Sequence, residues 1–364
     1  MTLSSELRAL LPLRPVNLLT RPADVLAARR LTASLRVDGV AYGNPAGARR
    51  TFSDLLVFRL DGDAVPPVMV KHPRSSRAVT SLTRECDAVR ILAGDERIGA
   101  WRRLLPVVEQ CRLEGPLPFV VERALPGVEG DTLLRHCPSL ARRVAVSALA
   151  TIGELHRATG RTEDVTARMR DWVDPRLAAL AAEVDWCRRG RGADAMTVLR
   201  HRLVRALEGR RLLVAWTHGD YHPGNVLLTG SQGTLCGVID WAGALPDGPA
   251  ALDCHTFVLT QRHQRGGRQF GRIVADTVRR GSLPPADQRL LTEAGALVSD
   301  AEGEMAMTLL TWLWHVAGNV TKSARYGRSR RWIGENVLPV LAEVAADETS
   351  ARGLRGRAVG TWGR

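Results

Sequence analysis

The sequence predicts an α+β fold in two parts, a small strand-rich segment followed by a larger helical one. Short apolar runs separated by Gly/Pro turns fill the region from about 33 to 122, with one amphipathic helix inserted. From about residue 127 the apolar periodicity becomes that of long helices. Between those helices lies one compact polar stretch with a hairpin signature, "HGDYHPGNVLLTGSQGTLCGVIDW". At 364 residues and 45% hydrophobic content, the chain is long enough for two lobes with a real core.

Taken in order, residues 1–32 read as a polar helical extension interrupted by Pro12, Pro15 and Pro22. Residues 33–122 form the strand-rich lobe. "SLRVDGVAYGNPAGARRTFSDLLVFRL" is a Gly/Pro turn between strand-like runs, and "VMVKH" is a short strand carrying Lys71. In "VTSLTRECDAVRIL" the positions Leu82, Cys86, Val89 and Leu92 make the stripe of an amphipathic helix. "LLPVVEQCRLEGPLPFVVERAL" reads as a strand pair around Gly115-Pro116. Residues 123–127 connect to the helical lobe, 128–348, and 349–364 read as a flexible basic tail. "AMTLLTWLWHVAGNVTKSA" is among the most hydrophobic of the late helices, and its Trp312, Trp314 and His315 are expected to pack in the core.

The net charge of +13 raises the question of a polyanionic partner, but only two of the 51 basic residues, Lys71 and Lys322, are lysine. Arginine is therefore the default cation of this composition, and nucleic acid is not expected as a partner. The same skew sharpens Lys71, since a compact ammonium in an arginine-rich chain marks a site that needs one. The six cysteines form no CxxC pair and read as buried free thiols. No apolar run approaches the roughly 18 residues of a membrane span, and "MTLSSELRALLPLRPVNLL" is broken by Glu6, Arg8 and Arg14, so a cytoplasmic location is expected.

The most informative residues are His218 to Asn225, "HGDYHPGN". His-x-Asp-x-His suits a metallohydrolase, whereas Asp-x-x-x-x-Asn suits the catalytic loop of a phosphotransferase. A metallohydrolase needs further ligands at motif spacing, and the other histidines show none. The hairpin formed by "NVLL" and "LCGVI" places Asn225 about opposite Ile239 and Asp240. An amide oxygen and a carboxylate then converge at its open end, a donor pair suited to Mg²⁺. Asp220 lies nearby as acceptor of a substrate hydroxyl proton, the spacing of kinase loops. Such chemistry needs a cation for the nucleotide phosphates, for which Lys71 is the candidate, with Glu85 as its ion-pair partner. "FVVERALPG", Phe119 to Gly127, falls where a hinge would pair its backbone with adenine, at Glu122 and Ala124.

"THGDYHPGN", "GVIDW", "VKHP" with "REC", and "IGELH" resemble the aminoglycoside phosphotransferase family of protein-kinase-like enzymes. The resemblance spans roughly residues 50 to 260 and is most specific at 216 to 241. It implies a bilobal protein-kinase-like fold, with ATP or GTP and Mg²⁺ as cofactors. Carried over by position, Asp220 would be the catalytic aspartate, Asn225 and Asp240 the Mg²⁺ ligands, Lys71 the phosphate lysine and Glu85 its partner. Asp253 in "ALDCH" resembles a family aspartate with a structural role; His218 reads as a histidine bonding the loop backbone, and His222 as loop support or as acceptor-site lining. The chain departs from the family pattern after Asp240, where "WAGALPDGPAALD" lacks the acidic residue that often follows Asp-Trp. The loop "YGNPAGARRTFSD" is not the Gly-x-Gly-x-x-Gly of protein kinases, which leaves Gly43, Gly47, Arg49 and Arg50 as its candidate phosphate contacts.

The expected activity is transfer of a γ-phosphate to a hydroxyl of a small molecule: a sugar, aminocyclitol, amino alcohol or natural-product intermediate. The alternative is a nucleotide-binding pseudokinase-like module, against which the intact Lys71, Asp220, Asn225 and Asp240 set argues. A polycationic acceptor calls for an acidic cleft, and Asp300, Glu302 and Glu304 are the carboxylates the sequence offers for one. Oligomeric state is not legible.

Overall fold

A computed structural model describes residues 22–35, 42–62, 65–229, 233–298 and 300–346. Residues 1–21 of the expected extension, the hairpin turn at Gln232 and the 349–364 tail lie outside the described residues. The expected α+β class is observed, and packing divides the chain into two compact units. The first comprises Met1–Thr151 with Pro223–Ala244, the second Ile152–His222 with Leu245–Arg364. This division differs from the one drawn at 123–127: the first unit runs on to Thr151, and the hairpin after Asn225 packs with it. Its strand Val226–Thr229 pairs antiparallel with Val128–Glu129 as well as with Thr234–Val238.

The first unit is organised by an antiparallel sheet of β1 (Ala46–Arg50), β2 (Leu55–Leu60), β3 (Val68–Pro73), β4 (Val108–Arg112) and β5 (Phe119–Arg123), in the order β1-β2-β3-β5-β4. Strand alternation sorts the side chains onto two faces. Leu56, Phe58, Leu60, Val68, Val70, Phe119 and Val121 form one, covered by Ala28, Leu31 and Leu35 at the helix Pro22–Ser34. That helix is thus part of the core, and a boundary at residue 32 would cut it. On the other face Leu55, Val57 and Val120 meet Ala78 and Leu82 of the helix Ser76–Ala93. Ser75 starts this helix, its hydroxyl accepting the Ala78 N–H at 3.3 Å. Lys71 pairs across the sheet with Val57 and Val120, so it stands on the face covered by that helix.

In the second unit Arg161–Asp164, Arg211–Thr217 and Leu245–Pro249 make a three-stranded antiparallel sheet, and Arg211–Thr217 delivers the chain into His218. The central helix, Ala301–Lys322, packs against helices Met169–Glu183, Gly190–Leu207 and Ala251–Gly266. Trp312 and Trp314 are buried in it with their indoles satisfied, donating to Asn336 O at 2.7 Å and Trp172 O at 3.1 Å. All six cysteines are free thiols, but only Cys187 and Cys254 are buried, a correction to the expectation for the set. Among the described residues no helix is long and apolar enough to cross a membrane.

Candidate active site

Within the first unit, Lys71 is held between two carboxylates. Its Nζ lies 2.7 Å from Glu85 Oε1 and 2.8 Å from Glu122 Oε1. Glu85 sits on the inward face of the helix Ser76–Ala93 and is 2% exposed; Glu122, on β5, is 3% exposed. Burial pulls the Lys71 ammonium down, but Glu122 and Glu85 outweigh it and leave its pKa well above the usual range. Burial pushes the Glu85 carboxyl up to about 7, opposed by Lys71 and reinforced by Glu122 and Asp240. Glu122 was expected to serve through its backbone, yet the structure shows its side chain as Lys71's second partner. Lys71 pairs with Val120, and Glu122, two residues on, points to the same face.

The hairpin end carries Asn225 and Asp240. Val238 pairs with Val226, and the Ile239 N–H donates to Asn225 O at 3.0 Å, the register expected from the sequence. Asn225 is buried, while Asp240 is half-buried with a left-handed backbone, φ 65°. That conformation is uncommon for a residue with a Cβ but accessible to aspartate. Trp241 anchors it: its buried indole donates to Val238 O at 2.9 Å and meets Trp101 edge-on at 5.8 Å. The turn Trp241–Gly243 packs on the helix bearing Glu85, which puts Asp240 within electrostatic range of that carboxylate. Asn225 and Asp240 are thus hard-oxygen donors at one hairpin end, in the same unit as the Lys71 cluster.

Other residues singled out in this unit are engaged differently. The Ala124 N–H donates to Pro67 O at 2.9 Å, extending the sheet. The loop from Tyr42 to Asp54 contains an edge strand, β1, in which Gly47 takes φ 62°. Arg49 pairs with Glu129, and Arg50 with Asp54 at 3.2 Å, so both guanidiniums already have carboxylate partners.

In the second unit, the loop His218-Gly219-Asp220 is fixed from below by Asp253. This fully buried carboxylate accepts the His218 N–H at 2.8 Å and the Gly219 N–H at 2.9 Å. His156 Nε2 lies 3.0 Å from the same carboxylate. Gly219 has φ 77°, which glycine adopts without a Cβ penalty. His218 is buried, and its Nδ1 accepts the Asp220 N–H at 3.3 Å. The buried Tyr221 packs on His218 and Phe257, with ring centroids 5.8 and 5.5 Å apart.

Asp220 itself faces a cation that motif reading did not assign. Lys322 Nζ lies 2.6 Å from Asp220 Oδ2, and His222 Nε2 is 3.9 Å from Oδ1. Burial pushes the Asp220 carboxyl up, but Lys322, His222 and His315 outweigh it and hold it far below the usual range. His315 therefore belongs to this electrostatic group as well as to the apolar helix. Burial, opposed by Asp220, lowers its pKa to about 4, which keeps the ring neutral at pH 7. The composition held the signal for Lys322: it is the other of the two lysines. Its partner, 102 positions away, was not legible.

Among the described residues no three His, Cys, Asp or Glu side chains converge as a metal-binding group. The model of the phosphotransferase enzyme family matches residues 48–282. No curated protein matches the chain significantly. Among solved structures, an ADP-bound aminoglycoside phosphotransferase is 13% identical with a TM-score of 0.50, over 88% of this chain and 97% of that one. An aminoglycoside-3'-phosphotransferase of type VIII is 20% identical with a TM-score of 0.48, over 81% of this chain and all (100%) of that one. A macrolide 2'-phosphotransferase from Brachybacterium faecium is 17% identical with a TM-score of 0.47, over 89% of this chain and 98% of that one. At such identities the first of these likenesses speaks to the fold, which is protein-kinase-like.

Proposed function

The chain belongs to the phosphotransferase enzyme family, and from that premise we propose that it moves the γ-phosphate of ATP or GTP to a hydroxyl of a small molecule. Asp220 takes the acceptor's proton as its oxygen attacks phosphorus. The bond from phosphorus to the β-phosphate oxygen breaks, and the nucleoside diphosphate leaves. Lys71, steadied by Glu85 and Glu122, binds nucleotide phosphate. Asn225 and Asp240, hard oxygen donors, would hold Mg²⁺, which would supply charge neutralisation for the nucleotide phosphates. Asp253 and His156 position the loop, and His218 fixes the Asp220 backbone.

The observation that supports this reading best is the Lys71–Glu85–Glu122 cluster in the same unit as Asn225 and Asp240, with Asp220 five positions earlier on the chain. The Ala124 N–H, expected to face adenine, is instead used by Pro67 O. The test is nucleoside diphosphate release with Mg-ATP and Mg-GTP across sugars, aminocyclitols and amino alcohols. Asp220→Asn is expected to lower turnover of any accepted alcohol by about 10²- to 10⁴-fold, the span of a general base. Full turnover by that variant would overturn the assignment.

A further inference from the structure

The groups around Asp220 bear on what kind of molecule can bring a hydroxyl to it. Lys322 and Asp220 are both partly sheltered, their side chains 18% and 21% exposed, so their charges interact with little screening. With His315 neutral, one carboxylate and one ammonium nearly cancel locally. The ten residues from Lys322 to Arg331, "KSARYGRSRR", hold five cations and no carboxylate. Tyr326, in the middle of this run, lies within electrostatic range of both Lys322 and Asp220. Arg325 and Arg328 flank it with exposed side chains.

Glu183 packs beside Gly327 and Glu335 pairs with Arg331 at 3.4 Å, but the three carboxylates the sequence offered for an acidic cleft are elsewhere. Asp300, Glu302 and Glu304 stand at the start of the helix that ends in Lys322. At 1.5 Å per residue the two ends are about 30 Å apart. Asp300 caps that helix, accepting the Gly303 N–H at 2.9 Å, and pairs with Arg210. Glu304 is buried, bonded to His255 at 2.6 Å and accepting the Val298 N–H at 2.9 Å.

We propose that Lys322, which opens a cationic run with exposed Arg325 and Arg328, is an acceptor-recognition site, and that the acceptor is an alcohol carrying a carboxylate or phosphate near its reacting hydroxyl. This rests on reading Asp220 as the group that takes the acceptor's proton. The Lys322 ammonium has three donors, so it bridges Asp220 and an acceptor anion at once, while a carboxylate's four or so lone-pair sites let Asp220 still receive a hydroxyl proton. An ammonium-bearing acceptor meets like charge instead, which disfavours it.

The test follows ADP release by the full chain with Mg-ATP against four groups of probes. These are hydroxy acids (glycerate, gluconate), phosphorylated alcohols (glycerol 3-phosphate, glucose 6-phosphate), neutral counterparts (glycerol, glucose) and polycationic kanamycin. At least one anionic probe is expected to exceed its neutral counterpart and kanamycin by tenfold or more in kcat/KM. Comparing the acid and phosphate arms tells which anion is recognised. Lys322→Met should raise KM for that probe at least tenfold while changing kcat less, and Lys322→Arg should restore most of the loss. Preference for kanamycin or the neutral probes, no reaction with any anion, or an unchanged KM in Lys322→Met each overturns the inference. Failure of the phosphotransfer reading shows differently, as turnover that survives Asp220→Asn.

Discussion

The chain's two lysines both sit on carboxylates, yet in opposite electrostatic settings. Lys71, in the first unit, serves two nearly inaccessible glutamates, one of which, Glu85, has its carboxyl pushed up to about 7 by burial. Lys322, in the second unit, serves one aspartate that keeps contact with solvent, and that pair is close to neutral. Removing Lys71 leaves two buried carboxyls without their cation, whereas removing Lys322 leaves one partly sheltered carboxylate without its own. The first lysine is therefore bound up with the stability of its unit. The second holds a single, partly exposed carboxylate, a setting in keeping with the proposed recognition role, as the first is with the proposed phosphate role.

The largest effect expected from this contrast is on folding. Lys71→Met should cost about 3–5 kcal/mol, the penalty of breaking a buried ion pair, read as a lowered urea midpoint. Lys322→Met should cost less, about 1–3 kcal/mol, since it breaks one charged hydrogen bond in a partly exposed pair. Equal losses would erase the distinction. Next comes the pH dependence around Asp220. His315 has a folded pKa of about 4 against 6.5 for its ordinary state, so the unfolded chain binds more protons between those values. Its contribution to stability is complete above pH 6.5 and is lost as pH falls towards 4, by no more than about 3 kcal/mol and less for its residual exposure. A His315→Gln variant should flatten that part of the stability curve in a melt series. The last effect is expected at Asp253→Asn, which keeps one carbonyl acceptor for two loop N–H groups and leaves one of them poorly satisfied. About 1–3 kcal/mol should be lost in a thermal melt, with turnover falling alongside as the loop loosens.

Much of the first unit was open to reading from the sequence, because its signals are local. The strand "VMVKH", the helix after it and the hairpin bracketing Asn225 and Asp240 each follow from periodicity and turn chemistry over a few residues. The Lys71–Glu85 pair spans 14 positions and one turn, so its partners could be matched by order. Glu122 escaped because its role depends on which strand neighbours β3, and strand order is not written in any local pattern. Lys322 escaped for a stronger version of the same reason. It ends a helix so apolar that burial dominates its pattern, and only the three-dimensional fold returns that end to a loop 102 residues earlier. His315 sits in the same apolar context, which points to packing, although it also lies within electrostatic range of Asp220.

The division of labour between the two lysines is tested most directly by titrating Mg-ATP into the wild-type chain, Lys71→Met and Lys322→Met, each checked for retained structure by circular dichroism. Lys71→Met is expected to weaken binding at least tenfold, while Lys322→Met stays within about twofold, a free-energy gap of about 1 kcal/mol or more. Equal weakening in both variants, or a larger loss in Lys322→Met, would contradict the assignment of Lys71 to the nucleotide and Lys322 to the acceptor.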